Sequence, residues 1–150
     1  MKVTVDESLL YDEPEVILRC RELDSPLRRV IAAIRLVNGK LIGRQDTVSH
    51  VIDAEDVYYF ESVDNKVFIY TQKLVYETSL RLYEIESRFE DTDFFRASKS
   101  VVANISKIAS FQAVFNGRFE ARLLNGEKII ISRQNVPTLK QKLGMKVKRS

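Results

Sequence analysis

Two short clusters in the second half of the chain carry side chains suited to holding a polyanion. Arg133, Gln134 and Asn135 follow directly on the apolar run Ile129-Ile130-Ile131, and Arg96, Ser98, Lys99 and Ser100 lie between Phe94-Phe95 and Val101-Val102. An arginine fork matches paired acceptors such as guanine O6 and N7, lysine supplies a point charge to phosphate, and short hydroxyls and amides fix register. Bond-making chemistry lacks its parts. The only histidine, His50, sits in the alternating stretch TVSHVI and the only cysteine, Cys20, lies thirty residues away, so neither a nucleophile with a base nor a metal cluster is expected. Five scattered glycines build no phosphate-cradling loop, and the carboxylates fall into no acid–base motif. The expectation is a protein that binds and is not an enzyme, with no cofactor, no metal and no small-molecule substrate.

Charge along the chain agrees. Residues 1–95 hold 12 Lys and Arg against 19 Asp and Glu, net −7, whereas residues 96–150 hold 12 against 2, net +10. A basic third of this kind is the electrostatic footprint of a polyanion-binding surface.

The elements that must position these clusters follow from pattern. With 150 residues, 45% of them hydrophobic and 30% charged, the chain supports one ordinary core. It contains neither a secretion-signal pattern nor the roughly 18 apolar residues of a membrane span, so a soluble, cytoplasmic protein is expected. VTVDESL and PEVILRC are strand candidates. LDSPLRRVIAAIRLVNGK is expected to be a helix capped by Ser25, closed by Asn38-Gly39, and packed on a sheet through Leu27, Val30, Ile31, Ile34 and Val37. Residues 40–78 turn to period two, an antiparallel meander in which Asp64 and Asn65 make a tight turn. SLRLYEIESRFED is expected to be a helix capped by Thr78 or Ser79, with Leu82, Ile85 and Phe89 on one face beside Leu80 and Tyr83. QNVPTLKQKLG closes as a short helix, and KVKRS is a basic tail.

The hairpin FNGRFEARLLNGEKIIISR fixes the aim of Arg133. Phe119, Ala121 and Leu123 share one face with Ile129 and Ile131, and Asn116-Gly117 and Asn125-Gly126 suit primed two-residue turns. Arg133 is therefore expected at the end of a firm strand, held toward an acceptor pair.

Four stretches, EDVYYFESVDNKVFIYT, LRLYEIESRF, FFRASKSVVANISKI and FNGRFEARLLNGEKIIISRQNVPTLKQKLG, together resemble the LytTR DNA-binding domain from about Ala54 to Met145. The resemblance implies a transcription regulator of mainly β (α+β) fold, an elongated antiparallel sheet with a few short helices, that sets loops into successive major grooves of double-stranded DNA. It implies binding in pairs at imperfect direct repeats. It also implies contact segments at Asn65-Lys66, at Arg96, Ser98, Lys99 and Ser100, and at Arg133, Gln134 and Asn135. Ser98 stands where many members carry histidine, and Ala103-Asn104 stands where many carry Val-Asn. The expected organisation is an N-terminal strand-and-helix extension over 1–45, the DNA-binding domain over 46–146 and the tail over 147–150. Because about fifty residues cannot hold a receiver domain, the resemblance is to the stand-alone type, whose members are sometimes restrained by a small membrane protein.

Two other readings fit parts of the chain. The N-terminal part could be an interaction module docking a partner or a second copy through the helix at 25–37, with only non-specific nucleic-acid affinity. Single-stranded RNA binding would need displayed aromatics, whereas Phe94, Phe95, Phe111 and Phe119 read as core.

Overall fold

The computed structural model describes residues 1–36 and 39–145. The alternating apolar residues of 40–78 form β1 (Lys40–Gln45), β2 (Val48–Asp53), β3 (Tyr59–Val63), β4 (Lys66–Tyr70) and β5 (Val75–Thr78). After helix α2 (Leu82–Arg88), strands β6 (Phe94–Ser98) and β7 (Val101–Asn104) complete a seven-stranded antiparallel sheet in the order β2-β1-β5-β4-β3-β7-β6. Strands β8 (Ile108–Ala113), β9 (Phe119–Leu123) and β10 (Lys128–Ile131) form a second sheet, ordered β10-β9-β8, and helix α3 (Val136–Lys142) follows. The architecture is mostly antiparallel β with short helices, as expected, and its strands divide between two sheets.

Alternation gives the large sheet two buried faces. One presents Phe60, Ile69, Phe94 and Val102 to Leu82, Ile85 and Phe89 of the α2 segment, where the rings of Phe60, Phe89 and Phe94 lie 5.0 to 6.3 Å apart. The other presents Phe95, Ala97, Val101 and Ala103 to Ala121, Leu123, Ile129 and Ile131 of the small sheet and to Val136 and Leu139 of α3. Each large apolar side chain so covered contributes roughly 1.5–3 kcal/mol. Asn104 is fully buried, and its amide is satisfied: Nδ2 donates to the Val57 carbonyl at 2.8 Å while Oδ1 accepts from the Ser106 N–H and hydroxyl.

Several expectations need correction. VTVDESL and PEVILRC form no strand; residues 1–26 are exposed, and period-two patterning without a neighbouring strand leaves nothing to pair with. Helix α1 (Ser25–Leu36) is capped by Asp24, whose Oδ1 accepts the Leu27 N–H at 3.0 Å, and not by Ser25. Its stripe is only half covered, Leu27, Val30 and Ile31 being partly buried and Ile34 exposed, while Ala32 is the buried residue. The proposed stop at Asn38, the stripe residue Val37 and the tail KVKRS lie outside the described residues. Helix α2 starts later than expected, because the Arg81 backbone N–H donates to Glu84 Oε1 at 3.1 Å and closes a capping box there; Tyr83 is turned to solvent. Strand β1 pairs with β2 along its whole length.

Candidate nucleic-acid interface

The turn between β3 and β4 has two residues, Asp64 and Asn65, with φ of 51° and 64°, the left-handed pair that a type I′ turn requires. The strand β6 ends in a bulge at Arg96 and Ser98, and Lys99-Ser100 turns the chain into β7. Since β3 pairs with β7, these two turns emerge side by side. The Ser62 N–H donates to the Ser100 carbonyl at 2.8 Å, and Arg81 Nη1 donates to the Asn65 carbonyl at 2.9 Å. Between them lies an open groove of about 510 Å³, lined in part by Ser62, Arg81, Tyr83, Arg96, Lys99 and Ser100.

The third segment joins at the same end of the sheet. The Ser132 N–H donates to the Ala97 carbonyl at 2.8 Å, which places the 3-10 turn Arg133–Asn135 beside the β6–β7 turn. Asn135 is partly committed, its Nδ2 donating to Ser132 Oγ at 2.7 Å, whereas Arg133 and Gln134 are exposed and make no side-chain hydrogen bond to the described residues. A Cβ on Gly117 would lie 2.8 Å from Arg133 Cδ and 2.9 Å from Cγ, so the arginine stem rests on the bare glycine backbone. Gly117 and Asn116 are both left-handed, with φ of 73° and 65°, but the Val114 N–H donates to the Arg118 carbonyl at 2.9 Å, so the loop has three residues where a two-residue turn was expected. The other Asn-Gly pair behaves differently. Only Gly126 is left-handed, and Leu123 bonds Glu127 across a three-residue loop, so that turn is a type I turn with a glycine bulge.

Of the nine site residues named from sequence, all lie in the three segments that converge here. Arg96 takes a role that sequence could not disclose. Its Nε donates to the Ser98 carbonyl at 2.9 Å, Nη2 to the Lys99 carbonyl at 2.8 Å, and Nη1 to Glu86 Oε2 at 3.0 Å. Its fork shapes the turn from inside, leaving Lys99 and Ser100 exposed. Arg81 and Tyr83 were missed; the signal for Arg81 was the Arg-x-x-Glu spacing to Glu84.

Electrostatics separates this end from the opposite one. At the far end of the hairpin, Asn125 Nδ2 donates to the Gln72 carbonyl at 3.2 Å and the Tyr59 hydroxyl to Glu127 Oε2 at 3.0 Å, anchoring the small sheet on the large one. Burial, then that carboxylate partner, push the Tyr59 phenol well above its ordinary range; burial and the charge of Glu61 raise its stacked neighbour Tyr70. Partly buried Lys142, donating to the Thr92 carbonyl at 2.6 Å, has its pKa lowered by desolvation. Among the described residues no group of three or more His, Cys, Asp or Glu could hold a metal ion. None of the described helices is long and apolar enough to cross a membrane.

Residues 48–144 match the family model of the LytTr DNA-binding domain. The chain belongs to the LytTR family. The chain is 30% identical over 96 residues to the sensory transduction protein LytT of Enterococcus faecalis, covering 64% of this chain and 40% of that one. It is 32% identical over 93 residues to LytT of Bacillus subtilis, covering 62% and 39%, and 28% identical over 92 residues to the transcriptional regulatory protein YpdB of Escherichia coli K12, covering 61% and 38%. It spans about two fifths of the length of these relatives. In fold it matches the LytTr DNA-binding domain of a Bacillus cereus protein described as a methyl-accepting/DNA response regulator, with a TM-score of 0.68 at 19% identity over 72% of this chain and 99% of that one. The LytTR domain implies binding of double-stranded DNA, and the converging turns lie wholly within the matched region.

Proposed function

We propose that this chain is a sequence-specific transcription regulator that sets three turns into successive major grooves of promoter DNA at imperfect direct repeats, bound as a pair. The observation that carries the reading is the convergence of Asn65-Lys66, Ser98–Ser100 and Arg133–Asn135 at one end of the sheet, with Arg133 exposed and uncommitted among the described residues while its stem is braced. Arg133 reads a guanine edge through its fork, with Gln134 as a second donor-acceptor. Lys66 and Lys99 neutralise flanking phosphates, and the hydroxyls of Ser98 and Ser100 fix register on the backbone. Arg96 holds the carbonyls of the β6–β7 turn so that Lys99 is presented in one geometry. The LytT and YpdB relatives, named as sensory and transcriptional regulators, support the regulatory role.

A band-shift titration against a direct-repeat promoter at several salt concentrations tests the proposal. A clear preference for the repeat over random duplex of equal length is expected, with a steep loss of affinity as salt rises. Equal affinity for both duplexes would refute sequence-specific binding.

A further inference from the structure

The N-terminal segment combines strand chemistry with no strand partner. Among the described residues, no backbone hydrogen bond ties residues 12–23 to anything, and Val16 and Ile17 are 62% and 63% exposed. Period two sorts residues 13–21 cleanly. Pro14, Val16, Leu18 and Cys20 fall on one face, and Glu13, Glu15, Arg19 and Arg21 flank Ile17 on the other.

Centred on Ile17, this segment is complementary to itself when reversed. An antiparallel pairing of two copies sets Ile17 against Ile17, Val16 against Leu18, Glu15 against Arg19 and Glu13 against Arg21. Because the arrangement is isologous, each Glu–Arg pair occurs twice, giving four opposite-charge pairs along one face of the ribbon. If Ile17 occupies a hydrogen-bonded pair, Pro14 falls in a non-hydrogen-bonded one, where its missing N–H is directed outward and no ladder bond is lost. The opposite face of the ribbon is wholly apolar and needs cover. Helix α1 begins four residues after Arg21, with Leu27, Val30 and Ile31 only partly buried and Ile34 exposed.

From this register we infer that the N-terminal segment is a homodimerisation element: residues 13–21 of two copies pair as an antiparallel ribbon whose apolar face is covered by the two α1 stripes. Charge complementarity selects a second copy of this chain as the occupant. An isolated two-stranded ribbon is marginal in water, and the helices supply the packing that makes it stable.

Sedimentation of the 150-residue chain without DNA tests the inference, so its outcome is independent of the DNA reading. A concentration-dependent mass of twice 17.4 kDa is expected. Glu15→Arg alone, or Arg19→Glu alone, turns two attractive pairs into repulsive ones and should weaken association about tenfold. The double swap Glu15→Arg with Arg19→Glu should restore it, and mixing the two single variants should give a heterodimer. All these positions are exposed, so the sheet domain is left intact, which its circular dichroism checks. A monomeric mass at every concentration would overturn the inference and leave the segment to a partner of another kind. A dimer indifferent to Glu15→Arg, or a double swap that fails to rescue, would overturn it equally.

Discussion

Gly117→Ala is the sharpest perturbation of the interface, because it touches the proposed base reader without removing it. The native φ of +73° is left-handed, which for an alanine costs about 1 kcal/mol. The new Cβ would also lie 2.8 and 2.9 Å from Arg133 Cδ and Cγ, shorter than a carbon pair tolerates at its optimum of roughly 3.5–4.0 Å. Arg133, in the 3-10 turn pinned by the Ser132–Ala97 hydrogen bond, cannot move its backbone freely, so its stem must swing and carry the fork away. The ceiling on the loss is that of deleting the fork, about 1–3 kcal/mol, or roughly 5- to 150-fold in specific affinity. Band shifts on the preferred site and on random duplex, for wild type, Gly117→Ala, Arg133→Ala and the double variant, give a complete cycle. Gly117→Ala should lose specific affinity several-fold, keep its non-specific affinity, and cost nothing further in specific binding once Arg133 is gone. Additive losses would mean that the glycine does not act through Arg133, and the account of how the arginine is aimed would fail.

Lys99→Ala should weaken binding to all duplexes alike and flatten the dependence of log affinity on log salt by about 1, whereas Arg133→Ala should relax base preference with little change of slope; identical behaviour of the two would remove the division between phosphate and base contacts. Arg96→Lys keeps the charge but cannot serve two carbonyls and a carboxylate at once, so thermal unfolding should show a loss of about 1–2 kcal/mol together with weaker binding; full activity would show the clamp to be dispensable. The Tyr59 phenol titrates higher in the folded protein than its unfolded value of 10.0, so its contribution to stability is complete below that pH and is lost as pH rises above it. Denaturant titrations should therefore show stability falling in alkali, and less steeply in Tyr59→Phe; parallel curves would contradict the Tyr59–Glu127 anchor. Leu139→Ala, emptying a fully buried position of α3, should cost about 2–5 kcal/mol in the same assay.

What was legible in the sequence was local. The Asp64-Asn65 turn, the alternation of β3, β4, β9 and β10, the buried face of α2 and the end of α3 at Gly144 depend on residues within one turn or one strand of each other, and pattern reports those directly. Side-chain commitments across the sheet were not legible. Nothing near Arg96 in sequence foretells Glu86, and Arg81 meets Asn65 only because β3, β4 and α2 fold together. The N-terminal stretch failed for the complementary reason. Its strand pattern is real, but a strand needs a neighbour, and among the described residues none is supplied. The Asn125-Gly126 turn differs in type from the expectation because an Asn-Gly pair fits both a two-residue primed turn and a glycine bulge, and the choice depends on loop length.

The two arginines of the interface show why residue type alone could not assign roles. Both carry the same fork, yet their surroundings divide the work. Using Arg96 on DNA would first require giving up bonds to two carbonyls and a carboxylate, each worth about 1–3 kcal/mol, and would release the turn that presents Lys99. Arg133 has no such bonds to the described residues to give up, and the contact with Gly117 restricts its stem, so part of the entropy of ordering a long side chain is already spent before DNA arrives. The hairpin that carries it is fastened to the large sheet at its far end through Asn125 and Glu127 and at its near end through Ser132. A hairpin fastened at both ends fixes the backbone beneath Arg133, and under the proposed function that fastening supplies the stiffness a recognition helix would otherwise provide: one satisfied arginine holds the surface on which an exposed one is displayed.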